Sequence, residues 1–172
     1  MSKSGRKIRR ILVANRSEIA IRVLRAATEL GIATVAIYSH QDRLSLHRFK
    51  ADESYLIGHD MGPIEAYLDI DGIIGVALDA KVDAIHPGYG FLAENPEFAE
   101  ACAEAGLIFI GPSPEVMRQL GNKVDARRIA VQAGAPVMPA TGPLPDDDAA
   151  ILAEAQAVGF PLMLKASWGG GG

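Results

Sequence analysis

Arg10-Ile11-Leu12-Val13-Ala14-Asn15-Arg16-Ser17-Glu18-Ile19-Ala20, carried on through Gly31 to Thr34-Val35-Ala36-Ile37-Tyr38, decides the fold. The run from Arg10 to Ala14 is β-rich and mostly apolar, as expected for a strand covered on both faces. The turn after it reads as a helix start, with Asn15 as the cap and Glu18 reaching back to it. Ile19, Val23, Ala27 and Leu30 then recur at helical spacing, while Arg22, Arg25 and Glu29 share another face. Gly31 supplies a left-handed stop, and residues 34–38 form the next strand. Strand, helix and strand make a βαβ unit, which demands a parallel pair joined by a right-handed crossover.

Working outward, the alternation continues. The pattern predicts strands over 53–57, 84–86 and 108–110, with helices over 69–80 and 96–105 between them. Such interleaving implies an open, doubly wound α/β sheet. Ser113 and Pro114 start a further helix as cap and first residue. A second helical stretch covers 123–132, and the Pro-, Gly- and Asp-rich residues 136–148 read as a connector. A helix over 149–158 and a strand over 161–166 complete the pattern. The domain division expected is 1–122 and 123–172.

Composition bounds the function. Among 172 residues, 49% are apolar and 22% charged, which is ordinary for a soluble globular protein. A formal net charge of −4 leaves no broad basic field for nucleic acid. Arg6, Lys7, Arg9 and Arg10 read as a solvated edge rather than a nucleic-acid or membrane patch. Cys102 is the single cysteine, so no intramolecular disulfide forms, and its place in a helical pattern suits a buried small hydrophobe. No apolar run approaches the roughly 20 residues of a membrane helix. A reducing, cytoplasmic compartment is expected.

The strongest chemical signal is Lys165-Ala166-Ser167-Trp168 followed by Gly169, Gly170, Gly171 and Gly172. A lysine ending a strand just before glycines suits phosphate, because the ammonium neutralises oxygens and the bare backbone can approach closely. No Gly-Lys-Ser/Thr follows, so this is not a Walker loop, and the first turn has no Gly-x-Gly-x-x-Gly. Lys123, after Gly121-Asn122, is a second candidate phosphate contact, although from this stretch alone a solvated surface lysine is the readier reading. His86-Pro87-Gly88-Tyr89-Gly90-Phe91 leaves the carboxyl end of a predicted strand, where open sheets place ligands; rigid turn and site both remain open there. No second His, Cys or carboxylate stands at metal-ligand spacing from His86.

Five ordered motifs carry a family resemblance: Val13 to Ala20, His86 to Leu92, Phe109-Ile110-Gly111-Pro112, Gly121-Asn122-Lys123, and Lys165 to the glycines. Together they resemble biotin carboxylases over essentially the whole chain. The segment from Asp42 to Glu53, and Trp168 before the glycines, favour the branch that carboxylates pyruvate to oxaloacetate over the acetyl-CoA carboxylase subunit. The resemblance implies a Rossmann-like pre-ATP-grasp domain followed by the opening of an ATP-grasp domain. In that family ATP and bicarbonate give carboxyphosphate, whose carboxyl group passes to biotin on a carrier domain.

By the same resemblance Lys123 and Lys165 contact ATP, and Gly169 to Gly172 begin the mobile loop over the phosphates. Tyr89, beside His86, lies near the carboxylation site, and Arg22, Arg25 and Glu29 lie on the helix that pairs two such domains. The family's magnesium carboxylates, general base and bicarbonate-binding arginine fall beyond Gly172. The 172 residues are therefore expected to be a piece of a longer ATP-dependent ligase, inactive alone, with no catalytic or metal-binding residue of their own. The alternatives are the biotin carboxylase subunit of acetyl-CoA or propionyl-CoA carboxylase and a non-catalytic pairing module. Ser17 stands where many members have glycine, which predicts that the turn needs no positive φ, and Ala93 stands where serine is common.

Overall fold

The computed structural model describes residues 7–166. The chain divides into two compact units that meet in sequence between Pro114 and Glu115.

In the first unit, β1 (Arg10–Val13) leads to α1 (Ser17–Glu29) and β2 (Ala33–Tyr38). A short 3-10 turn at Leu46–Lys50 precedes β3 (Glu53–Leu56), and another at Glu65–Leu68 precedes α2 (Ile70–Asp79). Then come β4 (Ala84–His86), α3 (Pro96–Glu104) and β5 (Ile108–Phe109). The five strands form one parallel sheet in the order β3-β2-β1-β4-β5. This is the open α/β sheet expected.

Alternation along the strands decides what each helix covers. Leu12, Val35, Ile37 and Ile85 point to one face and pack with Ile73 and Ala77 of α2 and Phe98 and Cys102 of α3. Ile11, Val13, Ala36 and Ala84 point to the other, where Ala20, Leu24 and Ala27 of α1 meet them. Cys102 is buried, and burial pushes its thiol up to about 11, so it behaves as a small hydrophobe. The buried stripe of α1 is Ala20, Leu24 and Ala27 rather than the expected Ile19, Val23, Ala27 and Leu30. Leu30 is 75% exposed, because the helix has ended before it.

Caps follow sequence in most helices. Asp69 accepts from the Gly72 amide, and Asn95 accepts from the Phe98 amide. Asn15 does not cap α1: the N-cap residue is Arg16, which makes no side-chain cap bond. The Asn15 amide is buried and spent elsewhere, as described below. Ser17 also differs from expectation, for it holds φ +50, the left-handed region. The turn does need positive φ, and a serine accepts it.

The second unit contains α4 (Pro114–Gly121), α5 (Lys123–Gln132) and α6 (Asp148–Val158). Asn122 and Asp147 cap the last two. The expected strand over 161–166 does not form, and those residues are exposed. A strand needs a ladder partner for its amides, and none of the described residues supplies one there. Gly169 to Gly172, with Ser167 and Trp168, lie outside the described residues.

Candidate functional site

The sheet order fixes where a ligand can enter. From β1 the chain moves outward through β2 and β3, then returns to β4 on the opposite side. The switch lies between β1 and β4, and crevices of open sheets form at the carboxyl ends there. The loops leaving these two strands line an open cleft of about 480 Å³, walled by Asn15, Arg16, Ser17, Glu18 and Ile19 on one side and Tyr89, Gly90 and Phe91 on the other.

Asn15 joins the two walls. Its Nδ2 donates to the carbonyls of Pro87 at 2.7 Å and Tyr89 at 3.0 Å, while its Oδ1 accepts from the Arg16 amide at 2.9 Å. The loop then runs flat against α1. A Cβ on Gly88 would stand 2.6 Å from Ile19 Cγ2 and 2.8 Å from Asn15 Nδ2, and Gly88 has φ +69. Only glycine fits that approach.

His86 shapes the same turn. Its Nδ1 accepts from the Gly88 amide at 2.9 Å, so the proton sits on Nε2. Burial lowers its pKa and keeps the ring neutral. Tyr89 is 61% exposed, and its hydroxyl donates to Glu18 Oε2 at 3.3 Å. Glu18 Oε1 in turn accepts from Arg22 at 3.5 Å, so an exposed carboxylate stands between the cleft tyrosine and the outer face of α1. Arg25 pairs with Glu29 on that face at 3.0 Å, with both side chains solvated.

Behind the cleft lies a cluster with no local sequence signal. Asp42 accepts through Oδ2 from Tyr67 Oη at 2.9 Å, Ser39 Oγ at 3.3 Å and Arg16 at 3.3 Å, and through Oδ1 from Ser45 Oγ at 3.0 Å. Burial pushes the Asp42 carboxyl up, but the bonds from Tyr67, Ser45 and Arg16 outweigh it and the net pKa is lowered. Burial, then the bond to Asp42, raises the Tyr67 hydroxyl far above its ordinary value. The Arg16 guanidinium lies 5.8 Å from the Tyr67 ring centre and 5.7 Å from that of Phe91. Those rings stack at 5.1 Å.

The structure thus brings His86 and Tyr89 together with Asn15, Ser17 and Glu18, and puts Arg22, Arg25 and Glu29 on the exposed side of α1. Lys123 begins α5 and Lys165 is exposed near the end of the described chain; both belong to the second unit. Among the described residues no group of three His, Cys, Asp or Glu side chains converges as a metal site, and no helix is long and apolar enough to cross a membrane.

The first unit is an open parallel α/β sheet with a cleft at its switch point, the class of fold that takes ligands at the carboxyl ends of its strands. Residues 7–117 match the biotin carboxylase N-terminal domain, and residues 122–172 match the ATP-binding domain of the carbamoyl-phosphate synthase large chain. The chain belongs to the biotin carboxylase family.

Pyruvate carboxylase of Staphylococcus aureus is 58% identical over 97% of the chain, which spans only 14% of that relative. Rhizobium etli pyruvate carboxylase, solved with the allosteric activator acetyl coenzyme A, superposes with a TM-score of 0.87 at 61% identity, covering 96% of this chain and 15% of that one. The biotin carboxylase domain dimer of Hydrogenobacter thermophilus 2-oxoglutarate carboxylase, crystallised with MgADP, ADP and bicarbonate, gives a TM-score of 0.89 at 44% identity, covering 97% of this chain and 36% of that one. The chain spans about a seventh of the length of the curated relatives it matches.

Proposed function

We propose that this chain forms the amino-terminal part of the biotin carboxylase site of a pyruvate carboxylase. In that reading the protein uses ATP and bicarbonate to carboxylate biotin on a carrier domain, and the carboxyl group then goes to pyruvate, giving oxaloacetate. The observation that carries it is the cleft between β1 and β4, walled by the two motifs, Asn15 to Ile19 and Tyr89 to Phe91, that resemble the family.

The division of labour follows from the chemistry. Residues 1–122 supply the scaffold and the Tyr89 wall, with His86 holding the turn behind it. Residues 123–172 open the ATP-grasp part. Asn122 Oδ1 already accepts from the amides of Val124 at 2.8 Å and Asp125 at 3.3 Å. The first-turn donors of α5 are therefore partly used, and phosphate recognition at this turn falls to the Lys123 ammonium rather than to the helix backbone. Lys165 and Gly169 to Gly172 act on the same phosphates. Bound Mg²⁺ would neutralise phosphate oxygens, with ligands from outside these residues. Arg22, Arg25 and Glu29 pair one such domain with a second copy. The compartment that suits one buried thiol is the cytoplasm.

The test is bicarbonate-dependent ATP cleavage with free biotin, by the protein carrying this chain. Lys123→Ala and Lys165→Ala should each raise KM for ATP on the order of tenfold or more, since each removes a charge-assisted phosphate contact. ATP cleavage independent of bicarbonate would overturn the reading. The 172 residues alone should show no turnover, because positioning of phosphoryl groups by metal and opposing residues supplies most of the rate in this chemistry. Clear turnover by them would remove that part.

A further inference from the structure

We propose that Arg16, Asp42 and Tyr67 form a positioning device for the 87–91 loop, fixing where Tyr89 stands in the cleft. This rests on the carboxylase reading above and adds to it three residues that act through another. The cluster draws on four separate stretches: Arg16 follows β1, Asp42 follows β2, Tyr67 lies between β3 and α2, and Phe91 follows β4. Three of these stretches lead directly from carboxyl ends of strands, so the device sits at the ligand end of the sheet.

Tyr89 is held from two directions. On one, Asn15 takes the carbonyls of Pro87 and Tyr89. On the other, two residues along, Phe91 holds φ +42, a conformation that a residue with a Cβ keeps only where its surroundings over-determine it. The surroundings here are the Tyr67 ring, stacked on Phe91 at an interplanar angle of 16°, and the Arg16 guanidinium near both rings.

Arg16 is itself aimed by Asp42, whose other bonds to Ser39, Ser45 and Tyr67 leave the carboxylate no freedom to follow a moving loop. Arg16 also lines the cleft, with its side chain 35% exposed. A planar cation suits this geometry, whereas a lysine ammonium keeps the charge but cannot lie flat near two rings.

The experiment compares Arg16→Lys and Tyr67→Phe, each alone and combined with Tyr89→Ala, in bicarbonate-dependent ATP cleavage stimulated by free biotin. Arg16→Lys should raise KM for biotin about tenfold and leave KM for ATP within about twofold. Tyr67→Phe keeps the stacked ring, cuts the bond to Asp42, and should shift KM for biotin the same way by about threefold. In the Tyr89→Ala background Arg16→Lys should add nothing, since a device that acts through Tyr89 has nothing left to position. An unchanged KM for biotin, an equal rise in both KM values, or full additivity with Tyr89→Ala would each overturn the proposal. Should Arg16→Lys fail to fold, Tyr67→Phe carries the same comparison with the same outcomes. A parent protein with no bicarbonate-dependent cleavage defeats the carboxylase reading itself, and this proposal with it.

Discussion

The helices of the two units use similar residues and reach different ends. In α3, nine residues bury Phe98, Ala99 and Cys102, and Phe98 and Cys102 join the core on one sheet face. In α6, eleven residues that include Ala149, Ala150, Ile151, Leu152 and Val158 bury none, and neither does α5. Apolar content is therefore not the deciding quantity. A helix stripe becomes core only where a second apolar layer faces it, and the first unit has a sheet with two such faces.

The largest expected consequence is in local stability. Amides of β1, β2 and β4 should exchange only through global unfolding, and those of α6 through local opening. In the isolated 172-residue chain the gap should be on the order of a thousandfold or more, read by native-state hydrogen exchange. Equal protection of the two regions would break the comparison.

Mutation sharpens the same contrast. Leu12→Ala removes a fully buried side chain from the central strand and should cost about 2–5 kcal/mol. Leu152→Ala acts on a half-exposed residue of α6 and should stay within about 0.5 kcal/mol. Urea midpoints at equal m-value would measure both.

Acid should also tell the two units apart. All four histidines, His40, His47, His59 and His86, lie before residue 115. His47 is fully buried, its Nε2 lies 3.0 Å from the Ile37 carbonyl, and its Nδ1 has no partner among the described residues. Burial lowers its pKa, as it does for His86. The unfolded chain then takes up protons first, so this stability is complete above the unfolded value near 6.5 and is lost as pH falls below it. Urea midpoints of the first unit should fall between pH 6.5 and 5, and His47→Gln should flatten that slope. A slope unchanged by His47→Gln would remove His47 as its source.

The smallest expected effect is at Ser17. Ser17→Gly relieves the left-handed φ of +50 but loosens the unfolded chain. The net gain should be below about 1 kcal/mol, seen as a slight rise in thermal midpoint. A loss on that substitution would mean that the serine side chain contributes more than its backbone costs.

The sequence carried the local features well and the long-range ones poorly. The strand at Ala84–His86 and the helix at Lys123–Gln132 were readable because apolar spacing and turn residues mark them within a few positions. Asn15 fits the local pattern of a cap, while its true partners are the carbonyls of Pro87 and Tyr89, more than 70 residues away. Residues 161–166 have strand composition, yet pairing is a property of the neighbour as well as of the segment. For the Asp42 cluster, residues 16, 42, 67 and 91 share no periodicity, and only the folded sheet collects them.

Gly88 carries one more consequence. With Ile19 and Asn15 filling the space where its side chain would be, the 87–91 loop has no gap in which to swing against α1. Together with the Asn15 bonds to the Pro87 and Tyr89 carbonyls, that close approach ties the loop to the first turn of the helix, so a side chain larger than hydrogen at position 88 would push the two walls of the cleft apart.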